Sequence, residues 1–144
     1  MSGDRLGWRL VAWAAASGAL AVALGAFGAH GLEGVVTAER LATWRTGATY
    51  HLAHSVAAAL SGLVATQRAR ALWAGRLFLL GVVLFSGSLY ALVLLDLPLL
   101  GAVAPLGGLS FIAGWGALGL AAWRASTEAH ETTEGRTRSA RPSA

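Results

Sequence analysis

The chain has 144 residues, room for about one domain, and 56% of them are hydrophobic while only 12% are charged. A soluble fold of this size keeps too large a surface to bury so much apolar area, so composition excludes an ordinary water-soluble domain and points to lipid. The absence of cysteine excludes disulfides and thiolate chemistry. The formal charge of +4 comes from scattered arginines with no basic helix, so nucleic acid is not an expected partner.

A hydrocarbon core of about 30 Å takes about 20 apolar helical residues to cross. Residues 8–29, 49–66, 72–95 and 99–123 supply four such runs. Each must be helical, because a lone strand leaves its backbone unpaired in lipid. The expected fold is therefore all-α, an integral membrane four-helix bundle with short loops over residues 1–124. The polar, mixed-charge segment 125–144 reads as a disordered tail.

In the first run Ser17, Ala21 and Gly25 recur every four residues, and Gly28 follows. Small residues at that spacing let helices approach closely in lipid. "GAFGAHGL" ends the run: Gly31 and Gly34 suit a helix stop and turn, leaving His30 and Glu33 at the outer surface. Thr37 is a good N-cap, and Glu39 in the next turn complements the helix dipole. Trp44 and Tyr50 mark the outer headgroup layer, as Trp8, Trp73 and Trp123 mark other span ends. His51 and His54 are three apart on one helical face. The third run brings Ser86, Gly87, Tyr90 and, at its end, Asp96 toward the same side. In the fourth, Pro105 opens or kinks the helix, and Gly107, Gly108 and Gly114 offer close contacts.

Four spans place both termini on one side. That side carries nine arginines against two, Arg40 and Arg45, on the other, which makes it the cytoplasmic side of a bacterial inner membrane.

His30, Glu33, His51, His54, Ser86, Tyr90 and Asp96 thus form one candidate outer polar layer. Ionisable groups at membrane depth are costly and tend to be functional. Three chemistries are open to the layer: a hydrogen-bond network fixing helix register, a proton, ion or small-ligand site, and a histidine-ligated metal or haem site. The sequence contains no HExxH pattern and spells out no nucleophile–base–acid set, so no catalytic residue, metal or cofactor is assigned. The expected function is that of a non-catalytic membrane component or assembly partner, with a small carrier acting as a homo-oligomer as the alternative. Expected partners are the bilayer and either the chain itself or another membrane protein.

"GALAVALGAFGAHGL", "WRTGATYHLAHSVA", "FSGSLYAL" and "APLGGLSFIAGW" occur in that order. Together they make the chain resemble the small inner-membrane family typified by YgdD, domain of unknown function 423, to which the eukaryotic transmembrane protein 256 group is similar. The resemblance covers about residues 5–123. It implies a four-helix membrane protein and no established activity. The family-like positions include Gly25, Gly28, His30, Gly47, His51, His54, Ser86, Tyr90, Pro105 and Gly107.

Overall fold

The structure is a computed structural model that describes residues 2–139. Helix α1 spans Ser2–His30 and α2 spans Ala38–Ala65. The third rod consists of α3 (Ala71–Gly81), a π-helical turn (Val82–Ser86) and α4 (Gly87–Leu95). A 3₁₀ turn over Pro98–Ala102 leads into α5, Ala104–Ser139. Four rods result, as the apolar runs predict. α5 continues through residues 125–139, within the segment 125–144 that the sequence reads as a disordered tail, and residues 140–144 lie outside the described part.

The helix boundaries follow local chemistry. Thr37 caps α2, its hydroxyl accepting from the backbone N–H of Arg40 at 3.4 Å. Gly34 takes φ +75° in the preceding loop, where a side chain would be strained. Asp96 closes α4 in the left-handed region at φ +55° and forms an ion pair with Arg40 at the start of α2. Pro98 starts the 3₁₀ turn, and Pro105 lies in the first turn of α5, where its missing N–H costs nothing; it opens the helix.

Three of the rods are long and apolar enough to cross a membrane: Asp4–His30, Ala71–Leu95 and Pro98–Glu128. α2 is not among them, because it carries the polar groups. It is also the central helix, lying along α1 for most of their length and touching α3, the π turn and α4. His51, His54, Ser55 and Ser61 are all buried on it. Outward positions on the other rods are apolar, among them Leu20, Val22, Val83, Leu109 and Ile112. This inside-polar, outside-apolar arrangement suits a lipid solvent.

Glycines set the closest approaches. A methyl at Gly7 would lie 2.7 Å from the Gly62 carbonyl oxygen, so α1 and α2 touch backbone to backbone there. At Gly107 it would lie 2.3 Å from the Phe85 nitrogen, which seats α5 on the π turn. At Gly114 it would meet the Phe78 ring at 2.7 Å, and at Gly28 the Trp44 ring at 2.4 Å. Gly25 and Gly108 have no neighbour within 4 Å of such a methyl, so the close packing expected at those two positions is not made. The contact stripe on α1 runs through Ser17, Ala21 and Gly28, and Gly25 is turned aside from it. Gly87 likewise meets only the Val82 carbonyl oxygen of its own rod, at 4.0 Å.

Candidate functional site

The residues expected in one outer layer separate into three groups. The first is centred on His51. Its Nε2 lies 3.0 Å from Ser17 Oγ on α1 and its Nδ1 lies 3.3 Å from Tyr90 Oη on α4. Ser17 Oγ also lies 2.8 Å from Ser55 Oγ, one helical turn below His51. A chain Tyr90–His51–Ser17–Ser55 therefore joins three helices. Every member is a group that both donates and accepts, so protons can be handed along it. Among the described residues no further side-chain hydrogen bond extends it from either end.

The second group is centred on His54, which faces α3 and α5. Its Nδ1 is 2.8 Å from the Tyr50 carbonyl oxygen, and its Nε2 receives the indole N–H of Trp115 at 3.4 Å. A carbonyl only accepts and an indole N–H only donates. These partners fix the neutral tautomer with the proton on Nδ1. The ring stacks on Phe111 with centroids 3.5 Å apart and planes 11° apart, and Phe78 lies at its edge. Both nitrogens are committed, so ligation of a metal by His54 would have to break one of these bonds. Among the described residues no group of three or more metal-binding side chains assembles.

The third group lies at the outer end. His30 is the exposed last residue of α1, and Glu33 is exposed in the following loop. Asp96 pairs with Arg40. Arg40 precedes His51 by eleven residues, roughly 16 Å along the helix. These three side chains do not join the buried groups. Ser86 does not join them either: it is 0% exposed in the π turn, and its hydroxyl has no partner among the described residues.

Trp44 departs from the headgroup position expected of it. It is 1% exposed, its indole N–H donates to the Leu24 carbonyl oxygen at 2.8 Å, and its ring packs on Tyr90 at 4.5 Å. The slot exists because Gly28 opposite has no side chain. Trp8, Trp73 and Trp123 do face outward. Trp115 was not singled out from the sequence; its spacing of four from Phe111 on α5 was the available signal.

At the outer start of α2, hydrogen bonds from its own backbone N–H and from the Thr37 hydroxyl hold the Glu39 carboxyl below the ordinary value for a glutamate.

The profile of the family described as "Protein of unknown function (DUF423)" matches residues 24–108. A UPF0382 membrane protein of Staphylococcus haemolyticus is 45% identical over 97 residues, covering 67% of this chain and 80% of the relative. The UPF0382 membrane protein YwdK of Bacillus subtilis is 46% identical over 99 residues, with the same coverage of 67% and 80%. No solved structure matches the chain. The matched span begins at Leu24, beside Trp44, and ends at Gly108, just past the seat of the π turn; it takes in α2 with both buried histidines and Tyr90, while Ser17, Phe111 and Trp115 lie outside it. The chain thus belongs to the DUF423 family of membrane proteins of unknown function, and its architecture is that of a helical membrane bundle.

Proposed function

We propose that this protein is a non-catalytic component of the bacterial cytoplasmic membrane that works by associating with another membrane protein or with a second copy of itself. The observation that carries the reading is the closure of the buried polar groups on one another. His51 spends both nitrogens on bonds to neighbouring helices and His54 spends one on its own helix and one on α5, while the carboxylates Glu33 and Asp96 stay at the outer end. Such a layer fixes register, and Ser17, the hydroxyl beside His51 Nε2, is itself tied to Ser55, with no carboxylate among the described residues to orient the imidazole.

Association is supported by the outward face of α5. Gly108, Gly116 and Gly119 have open space where a side chain would stand, which allows a further helix to come close. The experiment compares Gly116→Leu with wild type in lipid nanodiscs and in native-gel separations from mild detergent. Loss of a larger species with helical content intact is the expected result. A strict monomer for wild type in lipid and in extracts of its own host would overturn the reading.

Both termini are assigned to the cytoplasm on the nine-to-two distribution of arginine. A green fluorescent protein fused after residue 144 should fluoresce, and alkaline phosphatase at the same place should be inactive.

A further inference from the structure

α1 packs along α2 and meets α3 over only a short stretch. Between α1 and the α3–π–α4 rod this leaves a cleft of about 530 Å³, within the size range of small-molecule sites. Trp13, Ala16 and Leu20 line one wall and Val83 and Gly87 the other, while Ser17, His51 and Tyr90 form a polar floor. Ala16 and Gly87 contribute almost no bulk, which keeps the cleft open. Leu20 is 54% exposed and Val83 67% exposed, so the mouth opens sideways toward lipid.

Depth and charge restrict what fits. Ser17 lies thirteen residues from each end of the Asp4–His30 span, roughly 20 Å from either surface. A phosphate head would have to be dragged through hydrocarbon to reach it. Among the described residues no arginine, aspartate or glutamate lines the cleft, so an ionised head would find no counter-charge there. The floor offers only neutral groups that donate and accept. When His51 carries its proton on Nδ1 and gives it to the Tyr90 oxygen, the Tyr90 O–H is released for a ligand carbonyl. In the other tautomer Tyr90 donates to Nδ1, and its remaining lone pair can receive a ligand hydroxyl.

We infer that this cleft is a lateral binding site for a neutral membrane-dissolved lipid of the quinone class, its ring on the Ser17–His51–Tyr90 floor and its apolar tail leaving past Leu20 and Val83. The inference stands apart from the association through α5: either can fail without the other.

The test uses the full chain in nanodiscs of synthetic phosphatidylcholine, titrated with a decyl-substituted benzoquinone and read by quenching of tryptophan emission, to which Trp13 at the cleft contributes. Wild type is compared with Ser17→Ala, with Ala16→Phe and Leu20→Phe, which fill the cleft from its wall, and with Ala26→Phe, exposed farther along α1. Saturable quenching is expected for wild type and Ala26→Phe, with affinity about tenfold lower in the other three. Leu20→Phe replaces any variant that loses its helical signal. Linear quenching alike in all proteins would show partition into lipid only and overturn the inference. So would saturation unchanged in both cleft-filling variants, or displacement of the quinone by equimolar decanol, which would show that the tail alone is bound.

Discussion

Replacing His54 by alanine removes a ring stacked on Phe111, one hydrogen bond to α5 and one to the backbone of its own helix. Aromatic pairs of this kind contribute about 0.5–1.5 kcal/mol and each bond about 0.5–1.5, so a loss of about 2–4 kcal/mol is expected, read as a lower midpoint in thermal unfolding in detergent. Gly28 and Gly25 make a sharper pair, being three residues apart in one helix. Gly28→Ala drives a methyl into the Trp44 ring and should cost about 1–3 kcal/mol, whereas Gly25→Ala meets nothing and should be neutral or gain up to about 1 kcal/mol from helix propensity. The same measurement separates them, and equal effects would remove the packing argument. At this scale the sequence was partly legible. Thr37 as a cap and His51 with Tyr90 at one depth follow from helical spacing. Which glycines touch a neighbour does not, because a stripe every four residues drifts around a helix of 3.6 residues per turn and Gly25 drifts off the contact line.

Among the elements, the π turn between α3 and α4 is invisible in the sequence. Residues 72–95 read as one regular helix, and no residue type in Val82–Ser86 announces a wider turn. Its cause is tertiary: the backbone of Phe85 presses on Gly107, and the ring of Phe85 packs on Tyr50 and Phe111. A π turn accommodates one extra residue, so everything after it sits about 100° away from where a regular helix would place it. Deleting Val83 should therefore restore a plain α-helix with Tyr90 still facing His51. Deleting Leu80 before the turn should leave the turn and rotate Tyr90 away, and cysteine crosslinking between α2 and α4 would tell the two apart. At the start of α2, the Glu39 carboxyl is depressed in the folded chain. Its contribution to stability is present above the unfolded carboxyl range and fades as pH falls through the folded value. Glu39→Gln should flatten that acid limb of a stability–pH curve, and an unchanged limb would count against the cap.

For the whole molecule, the four-rod bundle was plain in the composition, because runs of apolar residues near 20 long have few alternatives. Burial was harder to foresee. Trp44 looks like an interfacial anchor by position, yet α1 and α4 close over it, and no one-dimensional pattern reports which helix ends up in the middle. That middle helix is also the one rod not among the spans apolar enough to cross a membrane; α1, α3 and α4 pack along it and α5 reaches it through Phe111 and Trp115. The arrangement bears on how the chain enters the bilayer during synthesis. α2 alone is a poor substrate for insertion, since each polar residue near its centre raises the cost of partition from the translocation channel. It enters most cheaply as a hairpin with α1, with Ser17 already in place to meet His51 and Ser55. A chain stopped after residue 66 should then integrate both helices together, while α2 placed behind an unrelated first helix should slip through to the far side of the membrane. Biogenesis would in that case depend on a pairing made before α3 has been translated.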